Sequence, residues 1–159
     1  MKSRYEQFTS SISAIYHAVQ KIEREEMVRC GTRGVYAQYL AALNSHPEGL
    51  TAARLSELCD RDKAAVSRAV ADMESEGLVR REGREDTMYR AVIRLTGAGQ
   101  RTADYVAGRA RAAVEAGGQG LSPRARRALQ EALTLIAANL DTIAREGIPA
   151  PAPDRQDGP

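Results

Sequence analysis

Between residues 51 and 95 the spacing of apolar residues changes from a helical period to a period of two, and this change constrains the fold more than any other feature. Thr51 is a helix-capping residue type, and the short helix after it is expected to bury Leu55 and Leu58. The segment CDRD at 59–62 breaks the apolar rhythm for four residues, and Asp62 caps a second helix. In that helix Val66, Ala69, Val70 and Met73 fall at i, i+3, i+4 and i+7, a single inward face. Gly77 stands where a helix end wants a left-handed residue. Residues 78–82 then read as a short strand, 83–87 as a polar turn and 88–95 as a second strand. In the second strand Tyr89, Ala91, Ile93 and Leu95 share one face, and Met88, Arg90, Val92 and Arg94 share the other. Two helices joined by a short turn and followed at once by a β-hairpin make a winged helix-turn-helix.

The flanks are helical. Residues 5–29 carry Phe8, Ile12, Ile15, Val19 and Ile22 at spacings of 4, 3, 4, 3, a narrow seam rather than a broad core-facing stripe. Leu129, Leu133, Ile136, Leu140 and Ile143 repeat that spacing in a helix opening at Ser122 with Pro123 at its first position. Packed on each other, the two seams make a hairpin with leftover apolar surface. Packed on a second copy, they make an intertwined dimer, the closed two-fold arrangement most oligomers adopt. The alternative is two ordinary amphipathic helices in a monomer. Gly31 and Gly34 end the first helix, and a second at 35–44 is expected to turn Val35, Tyr39, Leu40 and Leu43 inward. Thr96 caps a long helix reaching Ala116, which a glycine-rich turn at 117–120 closes. Six Tyr, one Phe and no Trp leave little strand-favouring material, so the expected class is mainly α with a small β-hairpin wing (α+β). The expected organisation is an N-terminal dimerisation helix at 1–30, a winged lobe at 31–95, C-terminal dimerisation helices at 96–146 and a disordered tail at 147–159.

Several classes drop out. No stretch approaches the ~18 consecutive apolar residues of a membrane span. The first residues, MKSRYEQFTSSIS, lack the apolar core of a secretory signal, so a cytoplasmic protein with no membrane partner is expected. Cys30 and Cys59 are too few and too far apart for a disulfide framework and are expected to be structural thiols. No nucleophile–base pair, phosphate loop or carboxylate pair stands in a plausible context, so the chain reads as a non-enzyme that needs no cofactor. Net charge is +2, and residues 51–95 hold nine basic and nine acidic side chains, so any nucleic-acid reading must rest on where charges sit.

Their placement is polarised. The second helix of the motif offers Lys63, Ala64, Ser67, Arg68 and Ala71 outward near its start, while Asp72, Glu74 and Glu76 come late. Lys and Arg suit phosphate or guanine, Ser can donate or accept, and Ala permits close approach. In the hairpin Arg80, Arg81, Arg84, Arg90 and Arg94 put five guanidinium groups in fifteen residues, suited to phosphate and to a narrow minor groove. The plainer alternative is a solvated face partly neutralised by Glu82, Glu85 and Asp86.

The run 50–99 resembles the winged-helix core of the MarR family of bacterial transcription regulators, through LTAARLSELC, DKAAVSRAVADMESEGLVRR and RLTGAG. Its most characteristic parts are the Glu-x-x-Gly-Leu-Val-x-Arg segment at 74–81 and the Leu-Thr-x-x-Gly segment at 95–99. With the terminal seams, the likeness extends to about residue 146. It implies a homodimer that binds a pseudo-palindromic operator in double-stranded DNA, usually as a repressor. It also implies release by a small aromatic or lipophilic effector in a cleft between the dimer region and the DNA-binding lobe. Expected DNA contacts are Lys63, Ala64, Ser67, Arg68, Arg81, Arg84 and Arg90. The family's wing carries an Asp followed two residues later by Arg; here Asp86 is followed by Thr87 and Met88, and the role passes to Arg84 or Arg90.

Tyr16, His17 and Tyr36, with Tyr39, are the candidate pocket residues, although tyrosines at helical spacing commonly serve packing alone. Some relatives sense oxidation or bind zinc. Here Cys30 ends its helix, Cys59 closes a helix expected to be buried, and with His17 and His46 they form no CxxC or HxxxH pairing, so no metal site is expected. The alternative function is a winged-helix protein-interaction module without sequence-specific DNA binding.

Overall fold

The computed structural model describes residues 3–83 and 91–149. The helices among the described residues are α1 (Arg4–Arg29), α2 (Ala37–Asn44), α3 (Ala52–Cys59), α4 (Lys63–Ser75), α5 (Gly97–Gly117) and α6 (Pro123–Glu146), with a 3-10 turn at Gly34–Tyr36. The strands are β1 (Leu50–Thr51), β2 (Val79–Glu82) and β3 (Val92–Leu95), in the antiparallel order β1-β3-β2. This is a mainly helical chain with a small three-stranded sheet. Tyr89, Met88, Arg84 and Arg90, on which part of the expected wing rests, lie outside the described residues, as does 150–159 of the expected tail.

The chain divides into two compact units, Met1–Gly117 and Gly118–Pro159. In the first, α1 buries Met27 in its last turn, and α2 contributes Tyr39, Leu40 and Leu43. Leu55, Val66, Val70, Met73, Val79 and Ile93 bring the helix-turn-helix and the sheet into the same core, which Ala103 and Val106 of α5 complete. Each such aliphatic burial stabilises by roughly 1.5–3 kcal/mol against its exposed state.

Local chemistry sets the boundaries. Ser3 and Glu6 form a capping box at α1, and Thr51, Asp62 and Ser122 cap α3, α4 and α6 through their side-chain oxygens. Asp60 takes a left-handed conformation at φ 49°, which Asp tolerates better than most residues, and it turns the chain between α3 and α4. Thr96 caps the start of α5, its hydroxyl accepting from the Gly99 amide at 3.1 Å and donating to the Gly77 carbonyl at 2.6 Å.

Three expectations need correction. Val35 is 64% exposed: residues 34–36 form a 3-10 turn, so α2 starts at Ala37 and the tighter rotation takes Val35 off the inward face. Leu58 is 41% exposed, because α3 buries the line through Leu55 and Cys59 and leaves Leu58 on its flank. The sheet has a third strand, β1, which pairs Leu50 with Ile93 and Thr51 with Val92. Two residues are too few to display an alternation.

The expected seams are largely uncovered. On α1, Tyr5, Phe8, Ile12, Ile15 and Tyr16 are exposed, and only Glu26 and Met27 are buried. In the second unit α6 buries no residue at all; Leu129, Leu133, Leu135 and Leu140 are exposed. No helix among the described residues is long and apolar enough to cross a membrane.

Candidate nucleic-acid interface

The second helix of the helix-turn-helix, α4, presents two chemically distinct ends. Lys63, Ala64, Ser67, Arg68 and Ala71 are all exposed, on the side opposite Val66, Val70 and Met73. The first turn is held by Asp62, whose carboxylate accepts from the Ala65 amide at 2.8 Å. Backbone amides at Ala65 and Ala64, with Arg68 nearby, hold that carboxyl below its usual pKa.

The acids at the other end are bonded to neighbouring elements. Asp72 accepts from Arg33 at 2.8 Å, and Glu76 accepts from Thr32 at 2.9 Å and from the Tyr36 hydroxyl at 3.0 Å. Glu74 accepts from the Arg81 amide at 3.1 Å and pairs with its guanidinium at 3.5 Å. The negative charges of α4 are thus occupied away from its exposed N-terminal half. No short-range sequence pattern reports this arrangement, since Arg33 and Asp72 lie 39 residues apart.

The base of the wing is more neutralised than the arginine count suggests. Arg80 and Arg94 both pair with Glu82, at 2.7 Å and 2.8 Å, and Arg94 also donates to the Pro47 carbonyl at 2.7 Å. These arginines, Arg80 first, hold the Glu82 carboxyl below its usual range. Arg81 is turned toward Glu74, and Arg84 and Arg90 lie outside the described residues.

The candidate pocket residues separate into two groups. Tyr16 and His17 lie together on exposed α1 with ring centroids 5.9 Å apart. Tyr36 is 1% exposed and lines a cleft of about 350 Å³ enclosed by α1, the 3-10 turn, α2 and α4. The cleft walls include Tyr39 and the arginines Arg24, Arg33, Arg61 and Arg68, opposed by Glu23 and Asp72. Burial, then the hydrogen bond to Glu76, push the Tyr36 hydroxyl up to about 12. A phenol whose folded pKa exceeds its unfolded one contributes stability that is full below about pH 10 and lost as pH rises toward 12. In a Tyr36→Phe variant, the part of the stability decline between those values due to this residue should vanish, as read by urea unfolding across that range.

Cys59 is buried, with its thiol 3.7 Å from the Gln38 carbonyl, and Cys30 is exposed; both are free. Burial raises both thiol pKa values, the opposite of what activates a thiolate. Among the described residues no group of three or more His, Cys, Asp or Glu side chains is placed to hold a metal ion.

The family model for the MarR family matches residues 31–87. No curated protein matches the sequence. Among solved structures, a MarR-family transcriptional regulator from Silicibacter pomeroyi is 27% identical, with a TM-score of 0.65 over 80% of this chain and 86% of that one. A MarR regulator from Methanosarcina mazei shares the fold at a TM-score of 0.74 and 22% identity, over 90% of this chain and 94% of the other. A MarR-family protein from Listeria monocytogenes, complexed with a 26mer DNA, shares it at 0.71 and 17% identity, over 96% and 100%.

Proposed function

We propose, from a winged-helix lobe whose sequence is that of the MarR family and a chain that carries the family's fold, that this protein is a homodimeric, cytoplasmic transcription regulator that binds double-stranded DNA. The observation that carries the reading is the exposed Lys63, Ala64, Ser67 and Arg68 surface at the start of α4, with the acids of that helix bonded elsewhere. A recognition helix needs this division: cationic and small groups where base edges lie, and no uncompensated carboxylate near phosphate. The uncovered seams of α1 and α6 supply the apolar surface for a second copy, and a two-fold pair of reading helices calls for a pseudo-palindromic site. Arg81, Arg84 and Arg90 are assigned to the DNA backbone beside the reading helix, Arg81 by exchanging Glu74 for phosphate. The family resemblance adds that the bound protein represses, and that a small aromatic or lipophilic effector, taken here into the cleft beside Tyr36, releases DNA.

The test is to select duplexes from a random library and measure binding of the best palindrome by gel shift across salt concentrations. Steep weakening with salt is expected, because phosphate contacts release counterions. Arg68→Ala should cost roughly 1–3 kcal/mol in operator binding and relax base preference, and unchanged affinity would count against the docking. The ion-paired arginines at the wing base favour one second reading, a winged-helix module that binds protein. Salt-insensitive capture of a protein partner with no DNA shift at low salt would establish it.

A further inference from the structure

Asp72 and Arg68 stand on one stripe of α4, four residues apart, and Glu76 continues it by another four. Residues so spaced are neighbours on a helix surface, within reach of a side-chain ion pair. Yet Arg68 makes no ion pair with a described residue, and the Asp72 carboxylate is bonded to Arg33 at 2.8 Å. Arg33 also pairs with Glu76, but at 3.9 Å, while Glu76 has hydrogen bonds of its own from Thr32 and Tyr36, so the close contact of the guanidinium is with Asp72. Arg33 is held in place from its own side. Its guanidinium lies 5.8 Å from the centroid of the buried Tyr36 ring. The backbone beside it is close-packed, since a Cβ on Gly34 would come within 3.0 Å of the Arg24 carbonyl oxygen.

We infer that Arg33, which lies off the reading face, sustains operator binding by occupying Asp72, and so leaves Arg68 on the same stripe for DNA. Without Arg33 the nearest cation along the helix for Asp72 is Arg68, which lines the same cleft, and an Arg68–Asp72 pair would hold the guanidinium there and away from DNA. Arg33 is on this account a positioning residue. As a half-exposed surface pair it adds little to fold stability, and its effect falls on recognition.

The inference rests on the DNA-binding reading, and a mutant cycle separates the two. Arg33→Ala, Asp72→Ala, the double variant and Arg33→Lys are compared with the unaltered chain on the selected palindrome, with thermal unfolding alongside. Arg33→Ala should weaken binding about five- to tenfold, approaching the loss in Arg68→Ala. Arg33→Lys should stay near the unaltered chain, because an ammonium can still occupy Asp72. Asp72→Ala should bind as well as the unaltered chain or better. The decisive result is the double variant: removing Asp72 should restore the affinity lost in Arg33→Ala to within about twofold, since the carboxylate freed by the loss of Arg33 is gone and Arg68 keeps only the Asp62 neighbour it has in the unaltered chain. A double variant as weak as Arg33→Ala overturns the inference and makes Arg33 a DNA contact or a structural tie. Arg33→Ala with full affinity and only a lowered melting temperature overturns it too. An unaltered chain that shifts no duplex sinks the DNA-binding reading, and this inference with it.

Discussion

Gly99→Ala is expected to destabilise the winged lobe by about 3 kcal/mol, read as a fall in the urea midpoint at unchanged slope. A Cβ at Gly99 would sit 1.9 Å from the Leu78 carbonyl oxygen and 2.9 Å from its carbon, and both belong to backbone that cannot swing aside. The same carbonyl accepts from the Thr96 amide at 3.0 Å, and the Thr96 hydroxyl caps the Gly99 amide, so the start of α5 is pinned to the entry of β2 by three groups of one short motif. The Leu-Thr-x-x-Gly segment is thus a close-approach device: threonine caps the helix and glycine lets it touch the sheet. A variant with an unchanged midpoint would mean that α5 can slide without cost. By contrast, Gly77, at φ 73° with no heavy atom near a built Cβ, should be sensitive to substitution only through its backbone conformation.

Leu133→Glu together with Leu140→Glu should yield a monomer by light scattering and lower affinity for the palindrome by about 10²- to 10⁴-fold, because a lone protomer reads one half-site without the effective concentration of its twin. Both leucines are exposed members of the 4, 3, 4, 3 seam on α6. Both positions lie outside the unit that holds the winged lobe, so the variant leaves that lobe's own core side chains unaltered. Dimers with full affinity in this variant would remove α6 from the dimerisation surface.

The helix-turn-helix was legible because it is written in local chemistry. Thr51 and Asp62 cap as their residue types imply, and Val66, Val70 and Met73 are buried as their spacing requires. The expectation failed where local pattern and tertiary packing part ways. Val35 fits a helical face in sequence but sits in a 3-10 turn, and Leu58 fits an apolar rhythm on a helix whose buried line is narrower than the rhythm. Among the wing arginines, Glu82 is legible in the sequence as a neutralising acid, and it pairs with Arg80 and Arg94, whereas the Glu74 partner of Arg81 comes from α4 and is set by packing.

The amino-acid sequence by itself determined where helices start, where the apolar period changes and which side of α4 stays out of the core, because capping, periodicity and burial act over a few residues. Only the tertiary structure decided which cation meets which carboxylate. Arg33 reaches Asp72, Tyr36 reaches Glu76, and β1 finds β3 across 39 to 43 residues of chain, through contacts that exist only once the core has brought distant segments together. Ion pairs follow distance in space, and no spacing along the chain encodes that distance.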